Sequence, residues 1–290
     1  MNFIELRSLI RTNSSLDFVT ASNNLQVTLF EDISRTDVLG LIKDIGIIPE
    51  DIVHDSSEEK LYTKVSDILF ARALKEMNFE TVVLRERANC ADIIAQSKFH
   101  NYSFVGDAKA FRLSRTATNP KDFKVESMVH WKADNDFSIL VCPYFQYPKR
   151  NSQIYGSALN GNVSLFSWEY LYIILSLNIQ ESETMDLREL WNQSYNIMQQ
   201  TNMADANNCF IQQQDDNIRE IIGLTSEQFE DYFKNIKNSI VHRGNDEIRY
   251  YESEIARIKQ LNKEDAIREL LLSMKLDSKI GTIRRFINQI

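Results

Sequence analysis

Residues 91–124 read ADIIAQSKFHNYSFVGDAKAFRLSRTATNPKDFK, and the fold of the chain turns on how this stretch is read. DIIAQSK and YSFVGDAKAF are short runs rich in β-branched and aromatic residues, separated by a polar His-Asn. They predict a β-hairpin whose turn lies between Phe99 and His100. Asp92 and Asp107 are placed symmetrically about that turn, so the hairpin sets them opposite each other, with Cβ atoms roughly 5 Å apart. One metal ion can touch two side chains at that spacing. Lys109 follows Asp107 by two residues, and the strand period of two puts it on the same face. Two acids and a lysine on one face, followed by a cationic loop, point to metal-dependent phosphodiester chemistry.

The flanking sequence sets the context. Ser34 with Asp37 forms a capping-box pattern before DVLGLIKDIG, and Ser57 opens EEKLYTKVSDILFARALKEMN with a helical apolar spacing, so the first 78 residues read as helices. FETVVLRE, DFSILVCPYF and NVSLFSW supply three further strands. A helix from Lys121 to about Asn135 intervenes, started by Asn119-Pro120. Beyond Trp168 the chain turns helical through EYLYIILSLNI and DLRELWNQSYNIM. In the last third Phe229, Phe233, Ile236 and Ile240 form one stripe and Ile248, Tyr251, Ile255 and Ile258 another, with Gly244 interrupting and Asn262 with Asp265 restarting a helix. The expected class is α/β (α+β), a mixed sheet of about five strands flanked by helices with helical N- and C-terminal regions. The expected division is 1–78 helical, 79–180 core and 181–290 helical, all in one compact unit.

Composition narrows the function. The 290 residues are 43% hydrophobic and 26% charged, with a net charge of −8, so any contact with nucleic acid must be a local basic patch on an acidic protein. Cys90, Cys142 and Cys209 are too scattered for a disulfide framework or a zinc knuckle, which fits a reducing interior. No apolar run approaches the ~20 residues that cross a bilayer, and Glu5 interrupts the apolar N-terminus, so a cytoplasmic location is expected. No P-loop, G-x-G-x-x-G, H-E-x-x-H or G-x-S-x-G is present. His130 reads as an ordinary helix residue and His100 as part of the hairpin turn.

An acid-x-Lys triplet carries little by itself, since Glu58-Glu59-Lys60, Asp122-Phe123-Lys124 and Asp277-Ser278-Lys279 share it on helical stretches. The triplet at Asp107 lies inside an apolar strand, where an ionised group needs compensation, and it alone has an aspartate fifteen residues upstream on the paired strand. In the functional reading Asp92 and Asp107, with the Ala108 carbonyl, hold Mg²⁺. Lys109 orients or helps deprotonate the attacking water. Glu59 adds an outer or second-metal carboxylate. The bland alternative is a Lys–Asp pair on a partly exposed sheet face. In the loop that follows, Arg112, Arg115, Lys121 and Lys124 supply cations, while Ser114, Thr116, Thr118, Asn119 and Asp122 carry polar groups able to reach phosphates or base edges. Asn119 reads equally as a helix cap, and Asp122 as a residue favouring the helix dipole.

The pattern Asp92 … Asp107-Ala108-Lys109 resembles the PD-(D/E)xK nuclease signature, with Ala91 in place of the usual proline. The strings GDAKAFRLSRTATNPKDFKV, PYFQYPKRNSQI and LFSWEYL, with EEKLYTK, KEDAIRELL and SKIGTIRRFI, are similar to those of HindIII-like type II restriction endonucleases. The likeness covers most of the chain, weakest before about Leu39 and between Ser182 and Glu247. It implies a restriction-endonuclease-like fold, a homodimer on double-stranded DNA, and Mg²⁺-dependent cutting (with Mn²⁺ able to substitute) at the palindrome AAGCTT after the first A. It also implies a cognate methyltransferase as a separate chain. The catalytic set it implies is Asp92, Asp107 and Lys109, and the base-reading loop falls around Ala117, Asn119, Lys121 and Asp122. Thr118 and Pro120 depart from the family, which has lysine and glutamine there. The other readings are a PD-(D/E)xK nuclease of a repair or junction-resolving kind, and a DNA-binding relative that no longer cuts.

Overall fold

A computed structural model describes residues 1–85, 90–115, 120–149 and 152–287. The expected base-reading positions Ala117, Thr118 and Asn119 lie outside the described residues. The chain divides into two compact units, 1–239 and 240–290. In the first, α1 (Phe3–Asn13), α2 (Phe18–Val27), α3 (Arg35–Ile45) and α4 (Ser57–Glu76) precede β1 (Phe79–Val83), β2 (Ile93–Ser97) and β3 (Ser103–Ala108). Then come α5 (Pro120–Phe123), α6 (Val125–Trp131), β4 (Phe137–Cys142), α7 (Gln153–Gly161), β5 (Val163–Ser167) and α8 (Trp168–Ser176). Helices α9 (Arg188–Trp191), α10 (Gln193–Gln200), α11 (Met203–Ile221) and α12 (Ser226–Gln260) follow. Helices α13 (Lys263–Ser273) and α14 (Leu276–Ile287) lie in the second unit, none of whose described residues is buried.

Local signals set the helix starts. Ser34 and Asp37 cap α3 reciprocally, as the sequence indicates. On α4 the cap is Ser56, whose side chain accepts from the Glu59 N–H, one residue before the expected Ser57. The five strands form one mixed sheet in the order β1-β2-β3-β4-β5, antiparallel up to β3 and parallel from β3 to β5. Every residue of β4 and β5 is buried, as parallel strands covered on both faces require. Helix α4 covers β1–β3 on one face. On the other, Val105, Leu140 and Leu165 pack with Met128, Tyr155 and Phe210. Among the described residues no helix is long and apolar enough to cross a membrane.

Three helical expectations are corrected. The helix from Lys121 breaks at Lys124, which is left-handed (φ 51°), and ends at Trp131. Phe123 and Val125 are both buried, and an unbroken helix would turn them about 200° apart; the kink lets both face the sheet. DLRELWNQSYNIM divides at Asn192 into α9 and α10. Gly244 does not interrupt α12; a helix-interior glycine costs only about 1 kcal/mol against alanine, and ion pairs of Arg243 with Glu247 and Arg249 with Asp246 span the same turns.

The hairpin and α4 approach most closely at Gly106. A Cβ there would lie 2.5 Å from Phe70 Cε1 and 2.8 Å from Ile93 Cγ1. Both neighbours are fully buried and have little room to withdraw. Gly106→Ala is therefore expected to destabilise the protein by about 1–3 kcal/mol, read as a lower urea midpoint at unchanged slope. An unchanged midpoint would show that Phe70 can give way.

Candidate active site

The β2–β3 ladder pairs Ile93 with Gly106 and Ile94 with Val105, the register expected from a turn centred on Phe99 and His100. Asp92 stands one residue before β2, and its N–H donates to the Gly106 carbonyl at 3.0 Å. The chain thus leaves the strict ladder by a half-step, yet the two carboxyls remain close enough for each to shift the other's ionisation. Asp107 is 1% exposed, and one of its oxygens is paired with Lys109 Nζ. The backbone of Lys109 is fixed from two sides: its N–H donates to Val141 O at 2.7 Å and its carbonyl accepts from Trp168 Nε1 at 2.8 Å. Strand β4 and the first residue of α8 thereby hold the lysine that the hairpin presents.

A third carboxylate joins them. Asp67, near the middle of α4, is 3% exposed and accepts from the Ala108 N–H. Its Oδ1 is buried with no hydrogen-bond partner among the described residues, and the Asp107 oxygens meet only the Lys109 ammonium and the Asp92 carboxyl. The charges sort themselves accordingly. Burial pushes Asp92 well above the usual carboxylate range, reinforced by the neighbouring carboxylates of Asp107 and Asp67. Burial also acts on Asp107, but there Lys109, Asp92 and Lys124 together outweigh it and hold the carboxyl below its ordinary value. Lys109 is raised: burial disfavours its charge, and Asp107, Asp92 and Asp67 more than offset that. Burial lifts Asp67 to about 7, against the pull of Lys64. Two buried acids and the half-buried Asp92 therefore share one ammonium, and Asp92 is the acid that holds its proton most tightly.

Such a cluster is costly unless something else neutralises it. Its free donors are carboxylate oxygens, with the Ala108 carbonyl at the end of the same strand, and hard divalent cations such as Mg²⁺ prefer that set. The residues fit a metal. A cavity of about 360 Å³, lined by Phe18, Lys60, Thr63, Lys64, Asp67, Arg85 and Asp92, opens onto the acids. Its three cations suit a phosphate backbone.

The other expected residues are placed as follows. Glu59 is not brought to the cluster. It lies eight residues before Asp67, about 12 Å along the helix, and it pairs with Arg112 Nη2 at 2.6 Å, His54 Nδ1 at 3.0 Å and the Asp55 N–H at 2.7 Å. Arg112 is largely enclosed and also donates to the Pro49, Glu50 and Ile52 carbonyls, so a phosphate would have to compete with Glu59 for it. Ser114 gives both its N–H and its hydroxyl to Glu50. Arg115 is exposed and reaches Asp122 at 3.1 Å. Lys121 and Lys124, both exposed, line a cavity of about 380 Å³ with Gln153 and Ser157. Lys124 lies over the Trp131 ring at 5.8 Å and helps hold the Asp107 pKa down.

Sequence reasoning missed Asp67, Lys60, Lys64 and Arg85. The one signal for Asp67 was an acid inside the apolar run VSDILFARAL, at a helix position flanked by core residues. Comparison with known proteins places the whole chain beside one enzyme family. The family model for the HindIII restriction endonuclease matches residues 2–287. The chain is 38% identical over 286 residues to the type II restriction enzyme HindIII of Haemophilus influenzae, covering 99% of this chain and 95% of that enzyme.

Proposed function

Because the chain belongs to the HindIII restriction endonuclease family, we propose that it cuts both strands of DNA at AAGCTT, after the first A, as a homodimer with Mg²⁺. Mn²⁺ is the expected substitute, the cytoplasm the expected location, and a separate methyltransferase the expected protection for host sites. The observation that carries this reading is the buried pairing of Asp107 with the Lys109 ammonium, with Asp92 and Asp67 close enough for their charges to act on that pair. A two-fold dimer matches the symmetry of a palindrome and brings one such cluster to each strand.

Asp92, Asp107 and the Ala108 carbonyl would hold the cation, with Asp67 as a further carboxylate; Glu59, tied to Arg112, is left for an outer role. When bound, the cation supplies Lewis-acid polarisation of the phosphate and a lowered pKa for a water. Lys109, freed from part of its pairing with Asp107, faces the reacting phosphate, where its ammonium stabilises the developing negative charge and orients the attacking water. Lys60, Lys64 and Arg85 line the approach for the strand being cut. Arg115, Lys121 and Lys124 would hold the backbone near the loop 116–119, in which Ala117, Thr118 and Asn119 are assigned to base reading with Asp122. Identity over nearly the whole chain supports the same recognition site, although Thr118 and Pro120 stand in that loop where the family has lysine and glutamine.

Digestion of a mapped DNA tests the reading. In Mg²⁺ we expect discrete fragments ending at AAGCTT, and no cutting in excess chelator. Fragments ending at another sequence would keep the nuclease and discard the site. Random degradation or intact DNA would discard the reading as a whole.

A further inference from the structure

We infer that a second cation site, of the Zn²⁺ type, lies at the opposite end of the β2–β3 hairpin, formed by His100, Glu181 and Asp186. One donor atom from each lies within 4.8 Å of the other two. His100 lies in the turn before β3 and Asp107 near the far end of that strand, about 13 Å along it from Ser103, so this site is distinct from the nuclease cluster.

The loop between α8 and α9 builds two of the three ligands. Ser182 and Met185 exchange backbone hydrogen bonds, each N–H to the other's carbonyl at 3.1 Å. That tight turn sets the flanking Glu181 and Asp186 side by side. Glu181 is anchored through its backbone, its N–H donating to Met77 O at 3.0 Å and its carbonyl accepting from Asn78 Nδ2 at 2.9 Å. Its side chain is 0% exposed, and Oε1 accepts from the Tyr102 hydroxyl and, at 3.4 Å, from the Leu187 N–H. Its Oε2 is buried with no hydrogen-bond partner among the described residues. A buried polar oxygen without a partner carries a desolvation cost that a cation would remove.

His100 is preset as a ligand. Its Nε2 sits 2.9 Å from the Ser182 carbonyl, which can only accept, so Nε2 carries a proton and Nδ1 is the nitrogen left to bind an ion through its lone pair in the neutral ring. This pairing of one ring nitrogen with a carbonyl is the usual way a metal-bound imidazole is oriented. Nδ1 faces Asp186 Oδ2 at 4.0 Å, too far for a hydrogen bond. Three donors about 3.5 Å apart surround an ion at the ~2.0–2.2 Å bond lengths of zinc with nitrogen and carboxylate oxygen. Asp186 is exposed, and reaching that spacing means giving up the hydrogen bond that its Oδ1 accepts from the Arg188 N–H at 2.8 Å in exchange for the ion. Arg188 competes for it, with Nη2 3.8 Å from Asp186 Oδ2, but its guanidinium also stacks over the Tyr102 ring at 5.1 Å and can remain there when Asp186 turns. One imidazole and two carboxylates select a borderline transition ion over Mg²⁺, which avoids nitrogen donors. The bound ion would pin the hairpin turn to the loop before α9.

The test uses the full chain, stripped with chelator and titrated with Zn²⁺ by calorimetry, with bound metal counted by elemental analysis. The parent and Asp107→Asn proteins are each expected to take up an equivalent of Zn²⁺ that Asp186→Asn and His100→Gln bind at least tenfold more weakly. Co²⁺ at the site should give the visible absorption of a four-coordinate ion, absent in Asp186→Asn. Asp186→Asn alters a partly exposed side chain outside the nuclease cluster, so its folding and Mg²⁺-dependent cutting report separately from its Zn²⁺ uptake. Zn²⁺ bound equally by Asp186→Asn, His100→Gln and the parent would overturn the inference, as would a parent whose Zn²⁺ uptake disappears entirely in Asp107→Asn.

Discussion

Asp107→Asn is expected to slow strand cleavage at least ~10³-fold, the scale set when a preorganised electrostatic group is removed from a reacting phosphate. Asp107 does two jobs at once. Its carboxylate is the one acid of the cluster whose pKa is held down, so it offers a full negative charge to a cation at neutral pH. It also holds Lys109 Nζ. An amide of the same shape keeps the strand and its packing but supplies neither charge nor anchor. DNA binding should persist, because the cations expected to meet the backbone lie on α4, at Arg85 and beyond Lys109. The measurements are single-turnover cleavage of a duplex containing AAGCTT in Mg²⁺ and binding of the same duplex in Ca²⁺. Cleavage within tenfold of the parent would remove Asp107 from the chemistry. Lost binding with a normal circular dichroism spectrum would assign it to substrate docking instead.

The hairpin half of this site was legible in the chain because strand geometry is local. A period of two and a symmetric turn tell which residues oppose each other, and the observed pairing of Ile93 with Gly106 follows from the same arithmetic. Even there the backbone at Asp92 departs by a half-step that no alternation pattern records. The helical half was not legible. Which side of α4 meets the sheet depends on how Phe70 and Ile93 close over Gly106, and that contact presents Asp67 to the acids while Glu59 is turned to Arg112. A helix with charged residues at 58, 59, 60, 64 and 67 offers several faces, and spacing alone does not choose among them. Arg112 shows the same limit. Its position after the catalytic strand suggested a phosphate contact, yet four partners around it belong to residues 49–59, brought there by the pairing of Phe111 beside Ile47. Capping boxes and strand runs are written in neighbouring residues. The enclosure of an arginine or an aspartate is written in contacts between distant ones.

Asp67→Asn should separate stability from activity in opposite directions. Burial raises the folded-state pKa of Asp67 from an ordinary 3.8 to about 7. The folded protein therefore holds this proton more tightly than the unfolded chain does. Stability linked to the proton is complete below about pH 4, declines as pH rises, and is gone above about pH 7. The amide carries no charge to desolvate and can still accept from the Ala108 N–H. At pH 8 in chelator the variant is thus expected to be more stable than the parent by about 2 kcal/mol, and the gap should close toward pH 4. Divalent cation should reverse the order, because a ligand that binds the folded state adds stability in proportion to its affinity and the variant has lost one of its donors. Cleavage in Mg²⁺ is expected to fall about 10²-fold. Urea unfolding at pH 5 and pH 8, with and without Mg²⁺, reads the first effect and single-turnover cleavage the second. A variant less stable than the parent at pH 8 in chelator, with cleavage intact, would make Asp67 a structural partner of Ala108 and Lys64. A variant that is more stable and still cuts at the parent rate would leave the burial argument standing and remove Asp67 from the metal-binding set.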